Sequence, residues 1–133
     1  MYVKRDILDL CQRLSDLGLR PQFIQGTHLA RGYADLGCEE FIVLSENKLC
    51  SLFTGAMSEL LEQHRRFFFW IPSADQALNL LVEHGFQIVS LDYQNQRWWK
   101  LALKKGDKLI EVAGDTLHLL FLKALAEVLS KPH

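Results

Sequence analysis

Apolar residues recur at spacings of three and four over residues 4–17, as Ile7, Leu8, Leu10, Cys11, Leu14 and Leu17. That periodicity predicts an amphipathic helix. Lys4, Arg5, Asp9, Gln12, Arg13 and Asp16 fill its other side, and Gly18 supplies the left-handed stop. Pro21 imposes an extended start on the short segment 22–25. Gly26, Gly32 and Gly37 break residues 26–38 into short pieces around Leu29, Tyr33 and Leu36, and strand with loop is expected there. The apolar runs 41–44 and 49–53 flank Ser45, Glu46, Asn47 and Lys48, a polar turn, and predict a β-hairpin closed by Gly55.

A second helix is expected over residues 57–66, with Leu60 and Leu61 inward and Glu59, Glu62, Gln63 and Arg65 outward. Residues 67–71 are consecutive large apolar side chains, which predicts a strand covered on both faces and ended by Pro72. Ser73 followed by Asp75 and Gln76 is a helix start, with Ala77, Leu78, Leu81 and Val82 inward and Gly85 as the stop. Strands are predicted over 86–93, 97–104 and 109–113, joined by turns at 94–96 and 105–108, so an antiparallel meander follows. On the middle strand Trp99, Leu101 and Leu103 alternate with Trp98, Lys100, Ala102 and Lys104, the period of a sheet with one wet face.

The last helix covers 115–130 and is capped by Asp115 or Thr116. Its stripe is Leu117, Leu120, Phe121, Ala124, Leu125, Val128 and Leu129, and Leu119 and Leu122 widen it beyond one packing face, so the helix is either covered on two sides or part of a subunit contact. The pattern predicts an α+β fold in which residues 1–133 form a single domain. An antiparallel sheet carries helices packed on it, close to an α-β-α sandwich.

Trp70-Ile71-Pro72, then Ser73-Ala74-Asp75-Gln76, a helix, an aromatic hairpin, Gly114-Asp115-Thr116 and a terminal Leu/Ala-rich helix form a recurring layout. Over residues 70–130 it resembles small phage-associated and mobile-element-associated α-β-α sandwich proteins of unassigned function. The resemblance implies a fold and a genomic setting, and no activity.

Composition narrows the function classes. The 133 residues carry 15 basic and 16 acidic side chains for a formal charge of −1, whereas a dedicated nucleic-acid module carries a basic excess. Cys11, Cys38 and Cys50 are odd in number and lack CxxC spacing, which suggests free buried thiols in a reducing compartment. The first residues lack the apolar stretch of a secretory signal, and no run approaches a membrane span, so a cytoplasmic protein without membrane contact is expected.

His28, His64, His84, His118 and His133 include no helical zinc pair, and neither a phosphate loop nor a nucleophile elbow occurs. No metal, cofactor or catalytic residue is therefore assigned.

Two surfaces remain as candidates. Arg97, Trp98, Lys100, Lys104 and Lys108 interleave aromatic and basic groups, as single-strand nucleic-acid binders do. Phe67, Phe68, Phe69, Trp70, Leu119 and Leu122 exceed the apolar content one packing face requires, which suggests a homo-oligomer contact or a protein partner. The leading expectation is a non-enzymatic interaction or accessory protein acting as a homodimer. A single-stranded nucleic-acid accessory factor and a small enzyme with an unrecognised site stand as alternatives.

Overall fold

In the computed structural model, residues 4–33, 37–45 and 47–131 are described; Leu36, Glu46 and His133 lie outside them. The chain folds as two compact units, residues 1–71 and 72–133.

The first unit opens with helix α1 (Arg5–Asp16), which buries Ile7, Leu8, Cys11 and Leu14 as its periodicity requires. Gly18 ends it at φ 105°, and the Gly18 and Leu19 N–H groups donate back to the Ser15 and Leu14 carbonyls, each at 3.0 Å. Only a residue without a Cβ adopts this conformation freely.

Five strands follow: β1 (His28–Tyr33), β2 (Gly37–Ser45), β3 (Lys48–Ser51), β4 (Met57–Glu59) and β5 (Phe68–Trp70). They form an antiparallel sheet in the order β4-β3-β2-β1-β5. The strand expected within 26–38 is present over residues 28–33, residues 34–36 of that reading lying outside the described residues, and the hairpin across Ser45 and Lys48 is present, these two being register partners.

One face of this sheet gathers Leu29, Phe41, Val43, Leu49, Leu60 and Phe68, with Phe23 packed against them. Phe41 and Phe68 meet edge to face at 5.4 Å between centroids. Helix α1 packs against β5. Side chains alternate along that strand, so Phe68 and Phe69 are buried on opposite faces.

The predicted helix over 57–66 is absent. Residues 57–59 pair with β3 instead, and Glu62–Phe67 form a 3-10 helix. Gly55, at φ 72°, reverses the chain directly after β3 and so lays residues 57–59 beside it. The Leu60 N–H then donates to the Asn47 carbonyl at 2.7 Å. Leu60 is buried and Leu61 exposed, whereas the helical reading turns both inward.

The second unit begins with α2 (Ala74–Glu83). Ser73 Oγ accepts from the Gln76 N–H at 3.2 Å and Gln76 Oε1 accepts from the Ser73 N–H at 2.8 Å, a complete capping box. Ala77 and Leu81 are buried as expected, but Val82 is 59% exposed.

Strands β6 (Gln87–Gln94), β7 (Trp98–Lys105) and β8 (Lys108–Gly114) make the meander read from the sequence. Asn95 and Gln96 both have φ near +55° and the Arg97 N–H donates to the Gln94 carbonyl, the φ pattern of a type I′ turn. Helix α3 (Leu117–Ser130) starts at Thr116, whose side chain accepts from the Leu119 N–H. It packs on β8 and β7 and against α2. A His118 ring nitrogen lies 2.6 Å from the Pro72 carbonyl oxygen, tying the start of α3 to the lead of α2.

The α+β class and the antiparallel pairing expected from the sequence are both present. The strands divide between two sheets. Among the described residues no helix is long and apolar enough to cross a membrane.

Candidate functional site

Alternation along β7 places Trp98, Lys100 and Lys104 on one side of the three-stranded sheet, as the sequence predicts. Arg97 lies in the turn at one end, and Lys108 pairs in register with Lys105 at the other. Trp98 and Lys104 are six positions apart, roughly 20 Å along an extended strand. The face is not uniformly basic. Lys100 has Asp92 as its register partner on β6 and makes a 3.4 Å ion pair with Glu111 on β8. The Trp98 indole N–H donates to Gln94 Oε1 at 3.4 Å, and the ring is exposed.

The residues expected to form an oligomer contact are placed differently from one another. Phe68, Phe69, Leu119 and Leu122 are buried within the folded chain, Trp70 is partly covered, and Phe67 is exposed. The two leucines that widen the α3 stripe are thus covered without a second copy. Other exposed apolar side chains lie elsewhere, and three of them, Ile88, Val89 and Tyr93, share strand β6. That strand is an edge of its sheet, and its only charged residue is Asp92.

A cleft of about 320 Å³ on the five-stranded sheet, walled in part by Phe41, Leu49, Leu60 and Phe68, has no counterpart in the sequence reading. Arg31 and Tyr33 on β1, Glu39 on β2, Ser51 on β3 and His64 of the 3-10 helix line it. Ser51 Oγ donates to Glu39 Oε2 at 2.6 Å, and Tyr33 Oη donates to Glu39 Oε1 at 3.1 Å.

Ser51 is also the turn anchor, since its Oγ accepts from the Phe53 and Thr54 N–H groups at 3.2 and 3.4 Å. Burial raises the Tyr33 phenol above its ordinary value of 10.0; the hydrogen bond to Glu39 and that carboxylate's charge add to the rise, and Arg31 opposes it. The Arg31 guanidinium lies over the Tyr33 ring at 5.3 Å and over the Phe67 ring at 5.1 Å. Arg66 lies over the same Phe67 ring at 4.9 Å.

Of these residues only Phe67 and His64 carry a functional reading from the sequence, the first as an oligomer contact and the second among unassigned histidines. The signal that could have found the cleft is the pairing of strands 28–33 and 37–45, which sets Arg31 opposite Glu39. Among the described residues no group of three or more His, Cys, Asp or Glu is arranged to hold a metal ion.

No family model, curated protein or solved structure matches the chain.

Proposed function

We propose that this chain is an interaction or accessory protein that acts as a homodimer, joined through strand β6. One observation carries the reading: β6 is an eight-residue edge strand with Ile88, Val89 and Tyr93 exposed and a single charge, Asp92. Proteins ordinarily guard such edges with lysines, prolines, bulges or covering elements, because unpaired backbone N–H and C=O groups invite another strand. Here the guards are a register shift between Ile88 and Ser90 and one aspartate. A second copy offers the same strand, and isologous pairing is the commonest route to a dimer.

Sedimentation of the full chain over a concentration series tests the proposal. A mass that rises from one copy to two is expected, and Val89→Lys, which places a charge on the edge, is expected to shift that rise to higher concentration. A single-copy mass at every concentration would sink the reading. So would a dimer that Val89→Lys leaves untouched.

A further inference from the structure

Arg31 and Glu39 are register partners on β1 and β2, the position at which opposite charges on antiparallel strands ordinarily meet. No ion pair joins them. Each is held by other groups: the Glu39 carboxylate by the Ser51 and Tyr33 hydroxyls, the Arg31 guanidinium by the faces of Tyr33 and Phe67.

Ring stacking fixes the plane of a guanidinium and consumes none of its five N–H donors. Among the described residues none of those donors has an acceptor. A carboxylate with roughly four lone-pair sites that accepts two hydrogen bonds can still accept more. Among the described residues the two charges therefore stand side by side on the wall of one cleft, which Glu59 also lines, each oriented and each with hydrogen-bonding capacity left.

We propose that this cleft binds a small amino-carboxylate. The ligand's carboxylate takes the free edge of the Arg31 guanidinium, where planar paired N–H donors match planar paired oxygens. Its ammonium donates to Glu39. A bare anion at Arg31 would be opposed by the adjacent Glu39 charge, and a bare cation at Glu39 by Arg31. A zwitterion satisfies both. The volume of about 320 Å³ lies at the small end of ligand sites and suits a molecule of this size. The hydroxyls of Thr54 and Ser58 line the same cleft and can receive a polar side chain.

Titration of the full chain with glycine, serine, glutamate and γ-aminobutyrate, followed by amide shifts or calorimetry, tests the proposal. Serinamide and lactate, which lack the carboxylate and the ammonium respectively, serve as comparison ligands. At least one amino-carboxylate is expected to bind saturably at millimolar concentration or below, with shifts at residues 31, 39 and 51. The analogue lacking either charge is expected to bind roughly tenfold more weakly, and Arg31→Gln to weaken the amino-carboxylate by a similar factor.

A panel without a saturable binder at millimolar concentration overturns the proposal. Serinamide or lactate binding as tightly as serine also overturns it, because one of the two charges is then unused. If Arg31→Gln unfolds the chain, the comparison of ligands on the unaltered protein decides the question by itself.

Discussion

A ring nitrogen of His28 on β1 lies 2.8 Å from Glu40 Oε1 on β2, and the Glu40 side chain is almost wholly buried. A carboxylate taken out of water is stable only while it is hydrogen-bonded. Removing the imidazole would take one donor away from it inside the sheet. His28→Ala is expected to destabilise the chain by about 1–3 kcal/mol. His84→Ala, at an exposed helix end, is expected to change stability by no more than about 0.5 kcal/mol. Urea unfolding of the two variants checks this, and equal midpoints would remove the special role of the pair.

The β6–β7 turn holds a side chain in the left-handed region at two successive positions. Asn tolerates this conformation, whereas Gln adopts it at a cost that glycine avoids. Gln96→Gly, which creates the Asn-Gly dipeptide favoured in type I′ turns, is expected to stabilise by about 0.5–1 kcal/mol. Thermal melting reads the change, and a lowered midpoint contradicts the turn geometry.

Leu122 and Val82 both fall on apolar stripes of the sequence, yet one is fully buried and the other 59% exposed. Leu122→Ala should therefore cost about 2–5 kcal/mol through the cavity it leaves. Val82→Ala should cost no more than about 0.5 kcal/mol. Denaturant midpoints of the pair would discriminate, and similar losses would mean that Val82 is covered in solution.

Cys11 is fully buried on the inward face of α1, and burial pushes its thiol up to about 12. Folding thus favours the protonated form. That contribution to stability is intact below the ordinary value of 9.0 and is lost as pH rises from there toward about 12. At neutral pH Cys11 should resist iodoacetamide until the chain unfolds, while the partly exposed Cys50 is alkylated in the native state. Peptide mapping of timed reactions checks the order, and labelling of Cys11 at the rate of Cys50 contradicts its burial.

How much of the fold is legible in the sequence depends on how local the deciding interactions are. The capping box at Ser73 and Gln76, the stripe of α1 and the alternation along β7 are set by neighbours within a few residues. On these, sequence and structure agree. On residues 57–66 they part, because the adjacent Leu60 and Leu61 carry less weight than backbone pairing to β3 and the bond from Leu60 to Asn47. The cleft escapes the sequence for the same reason. Arg31 and Glu39 are eight positions apart, and only the hairpin register makes them neighbours. Nothing in the types of Arg31, Tyr33 and Glu39 announces that rings and hydroxyls keep the two charges apart.

The strand order β6-β7-β8 leaves two unlike edges on one sheet. An edge that joins its own kind forms a closed pair and stops, whereas β6 joined to β8 would expose a fresh β6 at each addition and grow without limit. What separates a finite particle from a fibre is therefore written on β8, which opens on Lys108 and carries Glu111 near its middle. Charge-removing changes on that strand are where insoluble filaments should first be looked for.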